Sequence, residues 1–472
     1  MKALYTCQQM AQMDRDVQNE YHIPGIVLME NAGRSFCEIL LSQPEIKSLV
    51  NNNILILAGA GNNGGDALVI ARVLYDKGYS VSIYNPFIKG SESFLIQKEI
   101  CVSMGLYFLS NFPEDEYDVI IDGLIGTGVN GPLRDNIKSI IAQIKNYKGI
   151  KVSIDVPSGC SDTNHEDFIP CDLTIAMGAL KKLLYHPHIQ PYRGRIIVAD
   201  PGFPQVSFGK LSKNFFLIES QDKKNLIPNP FGHKGTHGLV EIWGGSPGME
   251  GAALLAASGS GRIGAGLVCI HTSHPDHVSR RCTDLFVMIN NEENSSPKAK
   301  ALVLGCGWGR NAERLDVLNR LLSLSIPTVV DADGLFALKK VDISSYSNKN
   351  KLVLTPHVGE AAYLLDTTIE IIKSDPDSCV RTLADKYNCW VLLKDFTSRF
   401  TAPGESIYIH SEPNGYLGTG GSGDILAGLL GGLLCQGYSS FDAITQSLLI
   451  HNEAGRIVAD DILKGVSLII GS

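Results

Sequence analysis

The chain has 472 residues, enough for two or three domains at about 150 residues each. Its 41 basic and 49 acidic residues leave a formal charge of −8, and 44% of residues are hydrophobic. A disordered chain would need low hydrophobicity, and a generic nucleic-acid surface would need a basic excess, so both are excluded. Glycine stands out at 48 residues against a usual share of about 7%. It serves either as linker or at turns where backbone must approach a ligand.

The eleven cysteines are scattered, with no Cys-x-x-Cys pair. That is the pattern of reduced, mostly buried thiols, not of a disulfide framework or a zinc site. The opening residues carry no apolar core of a secretory signal. No stretch is long and apolar enough to span a bilayer, so a cytoplasmic protein is expected.

In chain order, helical periodicity covers 8–20 and 29–41. The short β-branched run Asn53–Ala58 then predicts a strand, followed by glycines and a helix from about Asp66 to Lys77. Further strands are predicted at Tyr79–Tyr84, Tyr117–Asp122, Ile150–Asp155, Asp172–Ala176 and Arg195–Val198. Near-continuous apolar strands alternating with helices mean a parallel sheet covered on both faces. The pattern lapses over 200–235, which is rich in proline and lacks a predicted helix, and a domain boundary is expected near 210–225. A second alternating series follows: Gly238–Trp243, Leu267–Ile270, Ala301–Leu304, Pro327–Asp331, Leu352–Thr355 and Trp390–Lys394.

Glycine-rich loops leave several of these strand ends. Gly59-Ala60-Gly61-Asn62-Asn63-Gly64-Gly65-Asp66 follows a strand and opens a helix, the context in which glycines admit close backbone approach and the helix start favours an anion. The acid expected at the end of the next strand of a dinucleotide site is missing; Tyr84-Asn85-Pro86 stands there. A tight turn with its asparagines in the left-handed region is the plain structural alternative. Asp122 to Pro132 and Asp155-Val156-Pro157-Ser158-Gly159 leave later strands. Asn63, Asp122, Asp155 and Ser158 could meet in one crevice as oxygen donors, a set suited to a hard cation. In the second half, Gly418 to Gly423 lead through Asp424 into an apolar helix, a possible phosphate cradle with a base beside it. Asp331, Asp333, His357 and Glu360 follow strands, where acids could organise Mg²⁺ with nucleotide phosphates.

Gln9-Met10 through Asp14-Arg15, Ile23-Pro24-Gly25 with Met29 to Arg34, Gly61 to Ala67, Asp122 to Gly128 and Asp155 to Gly159 together resemble the NAD(P)H-hydrate epimerase domain over residues 1–215. The resemblance implies a Rossmann-like, doubly wound parallel sheet. It also implies a potassium ion on Asn63, Asp122 and Ser158. Hydrate contacts are implied at Asn62, Asn63, Gly64, Gly65 and Asp66, at Gly126, Thr127, Gly128, Val129, Asn130, Gly131 and Pro132, and at Asp155. Domains of this type also occur as non-catalytic modules in RNA-decay proteins.

Residues 216–472 resemble the ADP/ATP-dependent NAD(P)H-hydrate dehydratases, which implies a ribokinase-like α/β domain. Hydrate contacts then fall on Ala252, Gly307, His357 and Asp424. Nucleotide contacts fall on Lys394, Asp395, Phe396, Thr397, Ser398 and Gly423. Two departures are visible: the family usually has glycine where Asp395 stands, and Gly-Pro-Gly where Gly305-Cys306-Gly307 stands.

These resemblances imply an isomerase and a lyase on one chain. The substrates would be hydrated NADH and NADPH with ADP or ATP, in a cytoplasmic homo-oligomer that binds neither nucleic acid nor membrane. Asp424 would be the base for phosphoryl transfer and Asp155 the acid/base of epimerisation. A small-molecule kinase and a non-enzymatic NAD sensor are the competing readings.

Overall fold

The computed structural model describes residues 1–49, 53–113, 116–128, 131–161, 167–226, 231–284, 286–343, 351–457 and 461–470. The chain forms two compact units, Ala3–Phe215 and Phe216–Ser472, with Met1–Lys2 grouped with the second.

After a short strand β1 (Lys2–Leu4), the first unit is built on β2 (Asn53–Ala58), β3 (Ser80–Tyr84), β4 (Tyr107–Leu109), β5 (Val119–Gly123), β6 (Ile150–Ile154), β7 (Leu173–Met177) and β8 (Arg195–Ala199). All pair in parallel, in the order β4-β3-β2-β5-β6-β7-β8. Successive side chains of β2 point to opposite faces. Ile54, Ile56 and Ala58 pack with Phe36, Leu40 and Val69, while Leu55 and Leu57 pack with Ile137 and Ile141 on the other side. Each of these fully buried large aliphatic side chains contributes about 1.5–3 kcal/mol relative to exposure. Helices therefore cover both faces, as the apolar strands predict. The chain leaves β2 toward β3 and β4, then returns to β5 on the other side of β2. The crevice between the carboxyl ends of β2 and β5 is thus the point where strand order reverses.

The helix after β2 starts at Asn62, four residues before the predicted Asp66, and runs to Asp76. Asn62 and Asn63 are helical, not left-handed. The glycines explain the early start. A Cβ on Gly64 would lie 2.0 Å from the carbonyl oxygen of Gly59, and one on Gly65 would lie 2.5 Å from the Met29 side chain. Gly64→Ala is expected to destabilise this unit by about 3 kcal/mol or more, since its obstacle is backbone that cannot rotate away. Urea unfolding of the full chain measures this, and an unchanged transition would contradict it.

The second unit contains β9 (Phe215–Ile218), β10 (Leu239–Trp243), β11 (Leu267–Thr272), β12 (Val287–Asn291), β13 (Ala299–Leu304), β14 (Thr328–Val330), β15 (Leu352–Leu354), β16 (Trp390–Leu393), β17 (Ser398–Thr401) and β18 (Ile407–His410). From β9 the order is β9-β18-β17-β16-β15-β14-β13-β10-β11-β12. Strands β10 to β16 pair in parallel, and β16, β17 and β18 form an antiparallel meander. Strand order reverses between β10 and β13. Across the sheet, helix Ser422–Cys435 packs on helix Glu250–Arg262 almost backbone to backbone. A Cβ on Gly428 would stand 2.1 Å from the Ala256 carbonyl oxygen, and one on Gly259 would stand 2.9 Å from that of Ile425.

All eleven cysteines are without disulfides, and only Cys7 and Cys282 are not buried. Among the described residues, no helix is long and apolar enough to cross a membrane.

Candidate functional sites

A cavity of about 860 Å³ opens at the β2/β5 crevice of the first unit. Of the predicted hydrate contacts, Asn62, Asn63, Asp66, Gly126, Thr127, Gly128, Pro132 and Asp155 line it. Gly64 and Gly65 lie behind the wall as packing residues, and Gly131 is exposed outside it. Val129 and Asn130 fall outside the described residues.

Beneath the crevice, Asp122 and Ser158 are fully buried. The Asp122 carboxylate accepts the Ser158 N–H at 2.7 Å and the Leu124 N–H at 3.3 Å. The Ser158 hydroxyl accepts the Ile125 N–H at 2.8 Å and donates to the Ile125 carbonyl at 3.1 Å. Burial pushes Asp122 up to about 6, against the pull of the Ser158 hydrogen bonds. Among the described residues no cationic side chain pairs with it. Asn63 Nδ2 is buried without a hydrogen-bond partner; turning that amide end for end puts an oxygen in its place. A Cβ on Gly126 would stand 3.2 Å from Asn63 Cγ, so the amide lies against the same loop. One unpaired buried carboxylate with amide, hydroxyl and carbonyl oxygens fits a single hard monovalent cation better than a divalent one.

Asp155 sits at the end of β6 with φ +70, a region that non-glycine residues enter rarely. The Met177 N–H donates to its Oδ1 at 2.9 Å. Lys181, whose side chain is 1% exposed, donates to the same oxygen and to the Met177 carbonyl. Asp14, Asp66, Asp155 and Lys181 all line the cavity. Burial, then the like charges of Asp155 and Asp14, push Asp66 well above the usual carboxyl range, with Lys181 opposing. Sequence reasoning missed Lys181 and any role for Asp14. Lys181 reads as the tail of an apolar segment, and nothing local shows that it turns inward.

In the second unit, Asp331 at the end of β14 is buried and receives a hydrogen bond from Lys394 Nζ at 2.6 Å. His357 and Lys394 lie side by side on a parallel bridge. A Cβ on Gly423 would stand 3.4 Å from Lys394 Nζ, which places the start of helix Ser422–Cys435 over this pair. Asp424 is pushed up to about 6, first by burial and then by the charge of Asp331; the Cys306 thiol and Lys394 oppose this. Gly307, with φ +59, lies against Ala252: an added Cβ would be 3.1 Å from the Ala252 Cβ. Asp424, Gly307, Ala252 and His357 are thereby gathered around the Asp331–Lys394 pair, at the carboxyl ends of β13, β14 and β15.

The imidazole of His357 caps the helix that follows it. Its Nδ1 accepts the N–H groups of Gly359 and Glu360 at 3.0 and 3.2 Å, and its Nε2 lies 3.3 Å from Glu360 Oε1. Burial, then the charge of Lys394, lower its pKa and favour the neutral ring. Glu360 is pushed up to about 7 by burial, with Lys394 opposing. Asp333 accepts from the Gly309 N–H and Arg310 Nε, both at 2.9 Å.

The Lys394–Ser398 segment divides. Lys394 faces the crevice and Phe396 is exposed. Asp395 Oδ1 accepts the N–H of its neighbour Phe396 at 2.8 Å, taking a backbone donor that would otherwise be open to an anion. Thr397 is buried, with its carbonyl bound by Arg399 at 2.9 Å, and Ser398 opens β17 with its hydroxyl on the Asp395 carbonyl at 2.9 Å. Each is thereby tied to the strand, Thr397 through its carbonyl and Ser398 through its hydroxyl.

Two α/β domains, the first with a polar cavity where its strand order reverses and the second with a polar cluster at the carboxyl ends of its central parallel strands, define a two-site α/β enzyme that handles nucleotide-like ligands. A family model described as YjeF-related protein N-terminus matches residues 25–183, and one described as NAD(P)H-hydrate dehydratase matches 240–468. Curated relatives named bifunctional NAD(P)H-hydrate repair enzyme Nnr match along nearly the whole chain. The one from Coxiella burnetii is 31% identical over 98% of this chain and 96% of its own. The one from Moorella thermoacetica is 32% identical over 96% and 92%. A Bacillus subtilis ADP/ATP-dependent NAD(P)H-hydrate dehydratase co-crystallised with ATP/Mg²⁺ aligns with 52% of this chain and 91% of its own, at 21% identity and TM-score 0.46. The chain belongs to the bifunctional NAD(P)H-hydrate repair enzymes, with an epimerase and a dehydratase half.

Proposed function

We propose that this chain repairs NADH and NADPH hydrated at C6 of the nicotinamide ring, in two steps on its two domains. The reading is carried by the full-length match to bifunctional relatives, together with carboxylates gathered at the carboxyl ends of the parallel strands in each half. In the first domain (1–215), the R and S hydrates interconvert in the 860 Å³ cavity, with Asp155 as acid/base and Asn62, Asn63, Asp66, Gly126 to Gly128 and Pro132 around the substrate. Oxygens of Asn63, Asp122 and Ser158 would hold potassium. A cation there supplies fixed positive charge beside the helix start, where the hydrate's phosphates are drawn.

In the second domain (216–472), Ala252, Gly307 and His357 would hold the S hydrate against Asp424. Asp424 takes the proton of the C6 hydroxyl as its oxygen attacks the terminal phosphoryl of ADP or ATP. The Gly420–Gly423 N–H groups and Lys394 balance the developing charge. The ring nitrogen then expels phosphate from C6, and loss of the C5 proton restores the dihydropyridine. Mg²⁺ would enter with the nucleotide, since it usually keeps only one or two protein carboxylates. The setting is a cytoplasmic homo-oligomer.

The decisive assay feeds separated R and S hydrates to the full chain, with ADP and ATP in turn and with or without potassium. S is expected to yield phosphate and NAD(P)H only with nucleotide. R is expected to follow through S, and faster with potassium. A stable phosphorylated product would instead mean a kinase. In an Asp155→Ala chain, R consumption is expected to fall to the spontaneous rate while S consumption persists; undiminished R consumption would remove Asp155 from the mechanism.

A further inference from the structure

The cavity of the first domain holds two carboxyl groups in opposite circumstances. Asp155 is an anchored carboxylate: the Met177 N–H and the buried Lys181 ammonium both bind one of its oxygens. Asp66, in the opening turns of helix Asn62–Asp76, has no hydrogen-bond partner for its carboxyl among the described residues, yet it lines the same cavity. The configuration at C6 can change by opening and re-closing the N1–C6 bond, or by departure of the hydroxyl from one face of the ring and return of water on the other. On the second route, departure needs a proton donor and return needs a proton acceptor. A single carboxyl that has given its proton on one face does not reach the water arriving on the other.

We propose that Asp66 is a second catalytic residue of epimerisation, the proton donor whose acceptor is Asp155, with Lys181 as the positioning residue that keeps Asp155 an acceptor. The assignment rests on the epimerase reading above and deepens it. The Asp66 carboxyl gives its proton to the C6 oxygen, and the C6–O bond breaks with release of water. The nitrogen lone pair closes an N1=C6 iminium. Water adds to C6 from the opposite face, and the Asp155 carboxylate takes its extra proton. One proton has moved from Asp66 to Asp155; the reverse reaction, or exchange with solvent, returns it. No oxidant or reductant is consumed.

The electrostatics agree. The groups facing Asp66 are Asp155 at the end of β6, Asp14 on helix Cys7–Glu20 and Lys181 after β7; Arg15 and Arg134 also line the cavity. Burial and two like charges against one ammonium favour a neutral Asp66. Two carboxyls in such different surroundings commonly divide acid and base roles.

The test uses the full chain, R hydrate, no nucleotide, and direct separation of the two epimers across the pH range where the wild type is folded. Asp66→Asn is expected to lower kcat by roughly 100-fold or more with KM little changed, and to abolish the decline in rate on the alkaline side. Asp66→Glu is expected to restore a measurable rate with that decline shifted in pH. In water enriched in ¹⁸O, each wild-type conversion should fix one labelled oxygen at C6. Asp66→Asn turnover within about fivefold of wild type, persistence of the alkaline decline, or epimerisation without label would each overturn the assignment. If Asp66→Asn is unfolded by its thermal transition, the Glu variant decides: a folded Glu chain as inactive as buffer also overturns it. A wild-type chain that does not epimerise R hydrate would instead overturn the epimerase reading.

Discussion

Asp424→Asn should reduce nucleotide-dependent conversion of S hydrate by about 10²–10⁴-fold, the usual contribution of a positioned base, while R–S interconversion continues. The carboxyl is held up near 6 by burial and by Asp331. Its active, ionised form is therefore lost as pH falls through about 6, and the wild-type rate should decline on that acid side. The same burial makes a second readout. A carboxyl that is a weaker acid in the folded chain than in the unfolded one opposes folding once ionised, by up to about 1.4 kcal/mol for each tenfold loss of acidity. The Asn variant should therefore be somewhat more stable than wild type near neutrality. Lost activity with gained stability would separate a catalytic role from simple damage; a rate within a few-fold of wild type would remove Asp424 from the chemistry.

Lys394→Met should have the opposite stability signature. Lys394 is the partner of Asp331, whose side chain is 3% exposed. Deleting one member of a buried pair leaves an uncompensated charge, at a cost of about 3–5 kcal/mol. Asp424 would also lose the positive charge that offsets Asp331, so the acid-side decline of any residual dehydration should move above pH 6. Nucleotide binding should weaken too, because Lys394 Nζ lies beneath Gly423 at the glycine-led helix start. Lys394→Arg, which keeps the charge, should recover most of the stability. Denaturant titration with a pH–rate series checks both, and a Met variant with unchanged stability and midpoint would contradict the pairing.

The parallel core was legible because its strands are apolar on both faces: β2, β5, β10 and β13 read almost residue for residue from their β-branched runs. What escaped was structure whose stability comes from distant partners. Strand β12 lies at a sheet edge and is half exposed. Strand β17 buries Arg399, which only its pair with Asp377 makes tolerable. Strand β9 lies in a stretch rich in proline, and β4 has three residues. The loops that carry Asn63, Asp122, Asp155 and Asp424 were visible through their glycines. Lys181 was not, since one lysine after an apolar strand carries no sign of which way it turns.

The glycine contact between helices Glu250–Arg262 and Ser422–Cys435 has a mechanical consequence. One helix carries Ala252 near its start and the other carries Asp424 near its own. Because their backbones touch at Gly428 and Gly259, without a cushion of side chains that could repack, the two starts are locked to one spacing. In the proposed dehydration, this packing holds the substrate contact and the proton acceptor at a fixed spacing.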